Sequence, residues 1–391
     1  MDPLSPAELA RYSRHVLLPE IGEEGQTKLK RAKVLVVGAG GLGSPAALYL
    51  AAAGIGTLGI ADFDKVETSN LHRQLLHQDK TVGQPKTQSA ADRLQQTNPH
   101  IRVIQHPEGV TVANAVELFA NYDVIVDGTD NFTSRYLNND AAMRVERPLV
   151  FGSVYRFEGQ LSVFAPHLGG SCYRCLFPEP PPEGSVPGCG EIGVMGALCG
   201  VIGSWQALET IKLITGAGTP LINKLFTYDA LNQQISTFSM PRRDDCRCQR
   251  QGETTTTPLD PEDYASAVCA PPAPLSSMST ESESFPLEIS VSITKQLLDD
   301  ASKNTRLIDV REPHEVQICK IEGATFIPMR QIPENVSELP RDKHLLIYCH
   351  HGARSMRVVE YLRDQGFMAV TNVGGGINAW ADEMEPGMLR Y

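Results

Sequence analysis

The chain has 391 residues, of which 41% are hydrophobic, and a formal net charge of −11 at pH 7. That length suits two domains, and that apolar content fills ordinary cores, so wholesale disorder is excluded. An acidic chain lacks the basic face that displaces phosphate counterions, so broad nucleic-acid binding is excluded too.

Met1 to Glu20 is polar and has no apolar h-region, so no secretory signal is expected. A helical arm is predicted over Pro6 to Glu20, and Lys33 to Val37 reads as a buried strand. Gly38-Ala39-Gly40-Gly41-Leu42-Gly43 follows. A helix is predicted to start at Ser44-Pro45, with Ser44 as N-cap and Pro45 at the first helical position. The apolar stretch from Ala46 to Ile60 is broken by Gly54, Gly56 and Gly59 and is too short to cross a bilayer. A second strand is predicted over Thr57 to Ala61, ending at Asp62, and a third over Tyr122 to Val126, ending at Asp127. Strand, glycine turn, helix and strand in succession predict an α/β, Rossmann-like doubly wound sheet with a nucleotide at the strands' C-terminal ends.

Gly38, Gly40 and Gly43 satisfy G-x-G-x-x-G, which lets backbone N–H groups and a helix N-terminus approach a phosphate. Asp62 would hold ribose hydroxyls. On these residues alone an NAD-dependent oxidoreductase is the default reading. Further along stand Asp62-Phe63-Asp64, Ser69-Asn70-Leu71-His72-Arg73-Gln74, Gly83-Gln84-Pro85-Lys86 and Asp127-Gly128-Thr129-Asp130-Asn131. Arg73 and Lys86 would neutralise a triphosphate and Asp130 would bind Mg²⁺, the inventory of nucleotidyl transfer rather than hydride transfer.

Two cysteine pairs follow, Cys172-x-x-Cys175 and Cys246-Arg247-Cys248, the ligand set of a closed tetrahedral zinc site. Between them a Pro- and Gly-rich segment, expected to be a mobile loop, carries Cys189. Clustered cysteines in a chain of this size point to thiol or metal chemistry in a reducing, cytoplasmic setting. Cys199 and Cys319 read as small buried hydrophobes. Residues 250–286 lose apolar periodicity and read as a flexible linker, in which Cys269 is incidental. It separates domains at 1–249 and 287–391.

In the C-terminal domain Leu345 to Tyr348 is a buried strand delivering Cys349 to its end, ahead of Gly352, Arg354, Ser355 and a helix over Met356 to Arg363. A cysteine between a strand end and a helix N-terminus lies among backbone N–H donors that stabilise thiolate or persulfide. Four residues separate Cys349 from Arg354, one fewer than a phosphatase loop uses to wrap phosphate. Asp309 and Arg311 are expected to organise the loop. His350 and His351 are placed to tune the pocket, but as exposed loop histidines they are expected to have no such role.

Residues 11–248 resemble the ubiquitin-activating-like, ThiF-type adenylyltransferases that serve molybdopterin synthase and thiamine synthesis. The segments that carry the resemblance include RYSRHVLLPEIG, GAGGLGS, SNLHRQ, VGQPK, DGTDN, EGQLSVF and CYRC. It implies that Gly41, Asp62, Asn70, Arg73, Lys86 and Asp130 bind ATP and Mg²⁺, with Gly38, Gly40, Gly43, Asp64, Gln74 and Asn131 completing the nucleotide set. It also implies a homodimer in which Arg14 reaches the other subunit's phosphates. The substrate would be the C-terminal carboxylate of a ubiquitin-like sulfur carrier, and Cys189 would link to it covalently. The family carries C-x-x-C in both halves of its zinc site; here the second half is C-x-C, with a different bite. Residues 287–391 resemble a rhodanese domain, with Cys349 as persulfide carrier fed by a donor such as a cysteine desulfurase. The resemblances together imply a transferase that adenylates a carrier and then passes it sulfur. Alternatives are a rhodanese domain that only docks a partner, and the oxidoreductase.

Overall fold

The computed structural model describes residues 3–180, 193–249, 259–261, 264, 285–300 and 303–390. Two compact units divide the chain, Met1–Cys269 and Ala270–Tyr391.

The first unit opens with α1 (Pro6–Val16), started by a capping box between Ser5 and Glu8 with proline in its first turn. It stops four residues short of the expected Glu20, because Pro19 disfavours helical backbone at Leu18, and α2 (Gly22–Arg31) is separate. Next come β1 (Lys33–Val37), α3 (Gly43–Ala53), β2 (Thr57–Ala61), α4 (Lys86–Thr97), β3 (Arg102–His106), α5 (Ala115–Ala120), β4 (Val124–Asp127) and α6 (Phe132–Arg144). The unit continues with β5 (Leu149–Tyr155), β6 (Glu158–Phe164), α7 (Tyr173–Leu176), α8 (Gly196–Thr215), β7 (Lys224–Asp229) and β8 (Gln234–Ser239). The strands form one sheet in the order β3-β2-β1-β4-β5-β6-β7-β8. The pairs from β3 to β5 are parallel, and β5 to β8 pair antiparallel.

Two differences from the sequence reading have simple causes. The strand expected third is β4, because the sheet-edge strand β3 is half polar and carries little apolar signal. Ser44 does not cap α3: the helix begins at Gly43, and the Ser44 hydroxyl donates to the Ala39 carbonyl at 3.2 Å. No side chain caps α3; in its first turn the Ser44 N–H donates to the Gly40 carbonyl at 3.0 Å and Pro45 has no N–H.

The order of strands places the site. The chain winds from β1 outward to β3, then returns to β4 on the other side of β1, so β1 and β4 flank a topological switch point. Register sets Val37 beside both Ala61 and Asp127, which brings Gly38, Asp62 and Gly128 to one level. A Cβ on Gly43 would run into the Gly38 carbonyl, and one on Gly38 would stand 3.0 Å from the Gly128 carbonyl.

Leu259 and Tyr264, within the expected linker, are buried in the core of this unit. The Tyr264 hydroxyl donates to Asp140 at 2.9 Å, and Asp140 also takes two bonds from Arg174 Nε and one of 2.6 Å from Nη2. Docking therefore extends past residue 249. Asp140→Ala would leave the Arg174 guanidinium buried and unpaired, so a loss of about 3–5 kcal/mol in the first unit's unfolding free energy is expected by denaturant titration. A change under about 1 kcal/mol would disprove the arrangement's importance.

The second unit is an all-parallel five-stranded sheet in the order β11-β10-β12-β13-β9. Its strands are β9 (Glu288–Ile289), β10 (Thr305–Asp309), β11 (Thr325–Phe326), β12 (His344–Tyr348) and β13 (Val370–Val373). Strand β12 is central and wholly buried, as its run of apolar residues requires.

Candidate functional site

A cavity of about 180 Å³ opens at the switch point. Its floor is the glycine loop of β1, through Gly38, Gly40 and Gly41; Gly128, Thr129, Asp130 and Asn131 face it from beyond β4. Asp62 and Asp64 come from the end of β2, Arg73 and Gln74 from the turn after Asn70, and Lys86 from the start of α4. Most of the expected nucleotide-binding residues thus meet in one cavity.

Asp62 does more than wait for a ligand. One of its oxygens accepts the Ala39 N–H at 2.8 Å and the other accepts the Asp64 N–H at 2.8 Å, tying the second strand end to the glycine loop. Lys86 is buried and sits 2.8 Å from Asp64 and 3.9 Å from Asp62. Arg73 donates to Ser69 O at 3.1 Å and to His72 Nε2 at 2.7 Å, which aims its guanidinium along the rim. Burial, then the charge of Arg73, lowers the His72 pKa and favours its neutral form.

Three expected residues fall outside the cavity lining. Gly43 serves the packing of α3 on the loop. Asn70 is buried, and its side chain closes a turn by accepting the Glu67 N–H at 3.2 Å. Arg14 is exposed on α1.

Two arginines line the cavity without having been expected, Arg135 and Arg156. Arg135 lies 5.6 Å from the ring centres of Phe132 and Phe151, and its Nε is buried without a hydrogen-bond partner among the described residues. Gln74 Oε1 shares that condition. Buried, unsatisfied polar atoms at a cavity wall fit a polar ligand better than an apolar one. Arg156 sits in the β5–β6 turn at φ 54°, a position set by hairpin geometry rather than by a motif. Cys199 is buried as expected but also lines this cavity, with its sulfur 3.1 Å from where a Gly41 Cβ would be.

Cys172, Cys175, Cys246 and Cys248 converge although they are distant in sequence. Their sulfurs lie within 4.8 Å of one another, with separations of 3.4 Å for Cys172–Cys246, 3.6 Å for Cys175–Cys248 and 3.8 Å for Cys172–Cys175. A tetrahedron with metal–sulfur bonds of about 2.3 Å has edges of about 3.8 Å, which these three separations approach, and the two sulfurs of the C-x-C pair lie within 4.8 Å of each other. Cys189 lies outside the described residues, as does Cys269.

In the second unit Cys349 follows β12 and is almost fully buried. Its sulfur accepts the Gly352 N–H at 3.2 Å and the Ser355 hydroxyl at 3.3 Å. The helix behind it spans Ala353–Asp364, three residues earlier than expected, which places Arg354 and Ser355 in its first turn. Gly352 makes the turn at φ 100°. The carbonyls of Cys349 and His350 accept N–H groups of Ile377 and Asn378, at 2.9 and 3.1 Å, so a second helix start pins the loop.

Arg354 makes two bonds of 2.7 Å to Glu315. Arg311 pairs with Asp309 at 2.6 Å, and the Tyr348 hydroxyl adds a bond to Asp309, in agreement with a structural role for that pair. His350 corrects the reading of two exposed histidines: it is buried, and burial followed by the neighbouring His351 pushes its pKa down to about 4. Cys319 is half-buried.

Among the described residues no helix is long and apolar enough to cross a membrane.

Known proteins place these features together. A family model described as ThiF family matches residues 12–249, more than half of the chain, and one described as Rhodanese-like domain matches residues 290–383. The chain is 45% identical to the "Probable adenylyltransferase/sulfurtransferase MoeZ" of Mycobacterium tuberculosis, over 99% of this chain and 96% of that protein. It is 40% identical to "Adenylyltransferase and sulfurtransferase MOCS3-2" of Zea mays, over 99% of this chain and 82% of that protein. Among solved structures, Escherichia coli MccB with ATP superposes with a TM-score of 0.54 at 24% identity, covering 63% of this chain and 75% of that one, a likeness of fold.

Proposed function

The chain belongs to the ThiF family and carries a rhodanese-like domain, and from that premise we propose that it adenylates a ubiquitin-like sulfur carrier and then converts the adenylate to a thiocarboxylate. The observation that carries the reading is the single cavity in which the glycine loop meets Arg73, Lys86 and Asp130.

Catalysis in the first unit is positioning and charge neutralisation. N–H groups of the glycine loop cradle phosphate, while Lys86, Arg73 and Arg135 offset its charge. Arg14 of a second copy in a homodimer would add a further cation. Asp130 would hold Mg²⁺, whose positive charge would help offset that of the triphosphate. The carrier's terminal carboxylate attacks the α-phosphorus, forming the acyl–phosphate bond and releasing pyrophosphate.

Sulfur then comes from Cys349. A donor such as a cysteine desulfurase leaves a persulfide on its sulfur, stabilised as an anion by Gly352 N–H and Ser355. The terminal sulfur attacks the acyl-adenylate carbonyl; AMP leaves and an acyl-disulfide remains. Thiolate from Cys189 takes up the inner sulfur of Cys349, freeing the thiocarboxylate and leaving a disulfide for a cellular dithiol to reduce. This chemistry suits a reducing compartment such as the cytoplasm, where thiolates and persulfides persist. Carriers serving molybdopterin, thiamine or tRNA thiolation present the same chemical end.

The test is exchange of labelled pyrophosphate into ATP with Mg²⁺ and a purified ubiquitin-fold carrier. Carrier-dependent exchange is expected; none with any such carrier ends the proposal.

The four-cysteine cluster is proposed to hold structural zinc and take no part in transfer. Metal analysis should return about one zinc per chain. Cys246→Ser should lower zinc content and reduce the unfolding midpoint by roughly 6–12 °C, as a loss of about 3 kcal/mol gives for a unit of this size. Zinc well below one per chain in the wild type counts against it.

A further inference from the structure

Behind the glycine loop lies a buried polar scaffold centred on His77, which none of the steps above uses. His77 is 5% exposed, and its ring bridges two elements. Its Nε2 is 3.0 Å from the Ala39 carbonyl, in the loop itself, and its Nδ1 is 2.9 Å from Ser89 Oγ on α4. A carbonyl can only accept, so Nε2 carries the proton. In the neutral ring Nδ1 then accepts a hydrogen bond from the Ser89 hydroxyl, which also lies 3.1 Å from Thr81 Oγ1.

Ala39 is held through both peptide groups that flank its Cα. Its N–H donates to Asp62 at 2.8 Å, and its carbonyl also accepts the Ser44 hydroxyl at 3.2 Å. In a planar trans peptide the carbonyl and the following N–H point in opposite directions. Pinning the Ala39 carbonyl inward against His77 therefore turns the Gly40 N–H outward, and Gly40 lines the cavity. We propose that His77 is the positioning residue of the phosphate loop, orienting the Gly40 N–H toward bound nucleotide through its hydrogen bond to Ala39.

The role calls for a neutral imidazole with one fixed tautomer. Burial lowers the His77 pKa and outweighs the Ala39 bond, which raises it; the charges of Lys86, lowering, and Asp62, raising, follow. The Ala39 carbonyl fixes the tautomer, and Ser89, itself 2% exposed, holds the other nitrogen and so fixes the ring's orientation.

The inference rests on the adenylation reading, and its test separates the two. Mg-ATP affinity is measured by titration calorimetry on the full-length wild type, His77→Phe and His77→Gln, with the unfolding midpoint of each free protein in parallel. Phenylalanine keeps the volume and removes the donor; the glutamine amide can replace Nε2–H. His77→Phe is expected to bind Mg-ATP about tenfold more weakly, the scale of one lost buried hydrogen bond, and His77→Gln to stay within about threefold of wild type. Equal affinity in His77→Phe overturns the proposal, as does equal loss in both variants, and so does a fallen unfolding midpoint with affinity intact. Should His77→Phe not fold, Ser89→Ala carries the test, with a loss of about threefold expected from the loosened imidazole and an unchanged affinity overturning it. Wild-type protein that does not bind Mg-ATP would instead remove the adenylation reading beneath it.

Discussion

Cys349→Ala in the full-length chain is expected to cut thiocarboxylate formation by at least about a thousandfold, the usual scale for deleting a covalent nucleophile, while pyrophosphate exchange stays within about twofold. The contrast follows from the division into two units: Cys349 is buried in the second, and the cavity proposed to take ATP is lined wholly by residues of the first. No other group at the strand end can take its place. Ser355 offers a hydroxyl to the sulfur but cannot carry a sulfane sulfur, and Arg354 is engaged with Glu315. The readout is intact mass of the carrier after incubation with Mg-ATP and a persulfide donor, with the modified site located at its C-terminus. Thiocarboxylate at wild-type rate in the variant would refute sulfur transfer through Cys349 and leave the rhodanese-like domain a docking module.

Lys86→Ala is expected to lower carrier-dependent pyrophosphate exchange by about 10²–10³-fold, the range seen when one preorganised charge-stabilising donor is removed. The magnitude reflects location. Lys86 is 6% exposed, and it is the cation held against both Asp62 and Asp64. Without it two carboxylates would face an incoming triphosphate across a partly enclosed cavity, where like charges are poorly screened. Lys28→Ala, which removes a surface partner of Glu24 on α2, serves as a control and is expected to change exchange by less than about twofold. A Lys86→Ala enzyme that folds and exchanges at the control rate would show that the phosphates lie elsewhere.

Arg135 shows where a sequence reading stops. It follows Asp130-Asn131 by a few residues in α6 and looks like any surface arginine in a helix. Only the packing of α6 against β5 sets it between Phe132 and Phe151 at the cavity wall. Asn70 is a different case: its place in a strong motif points to ligand contact, while its side-chain oxygen closes a backbone turn beside the cavity residues Arg73 and Gln74. His350 was read from loop position alone, but helix Gly376–Glu383 covers that loop and buries it.

Local chemistry was enough for the strand–glycine–helix start, the strand that delivers Cys349 and the pairing of cysteines, because each depends on residues near in sequence: β-branched runs, glycines at close approaches, short ligand spacings. Tertiary structure alone decided that β1 and β4 enclose the cavity, that three further antiparallel strands extend the sheet, that Cys172 and Cys246 meet at 3.4 Å, and that Tyr264 folds back onto Asp140. These depend on which faces are buried against which, and periodicity tells that a face is apolar without telling what will cover it.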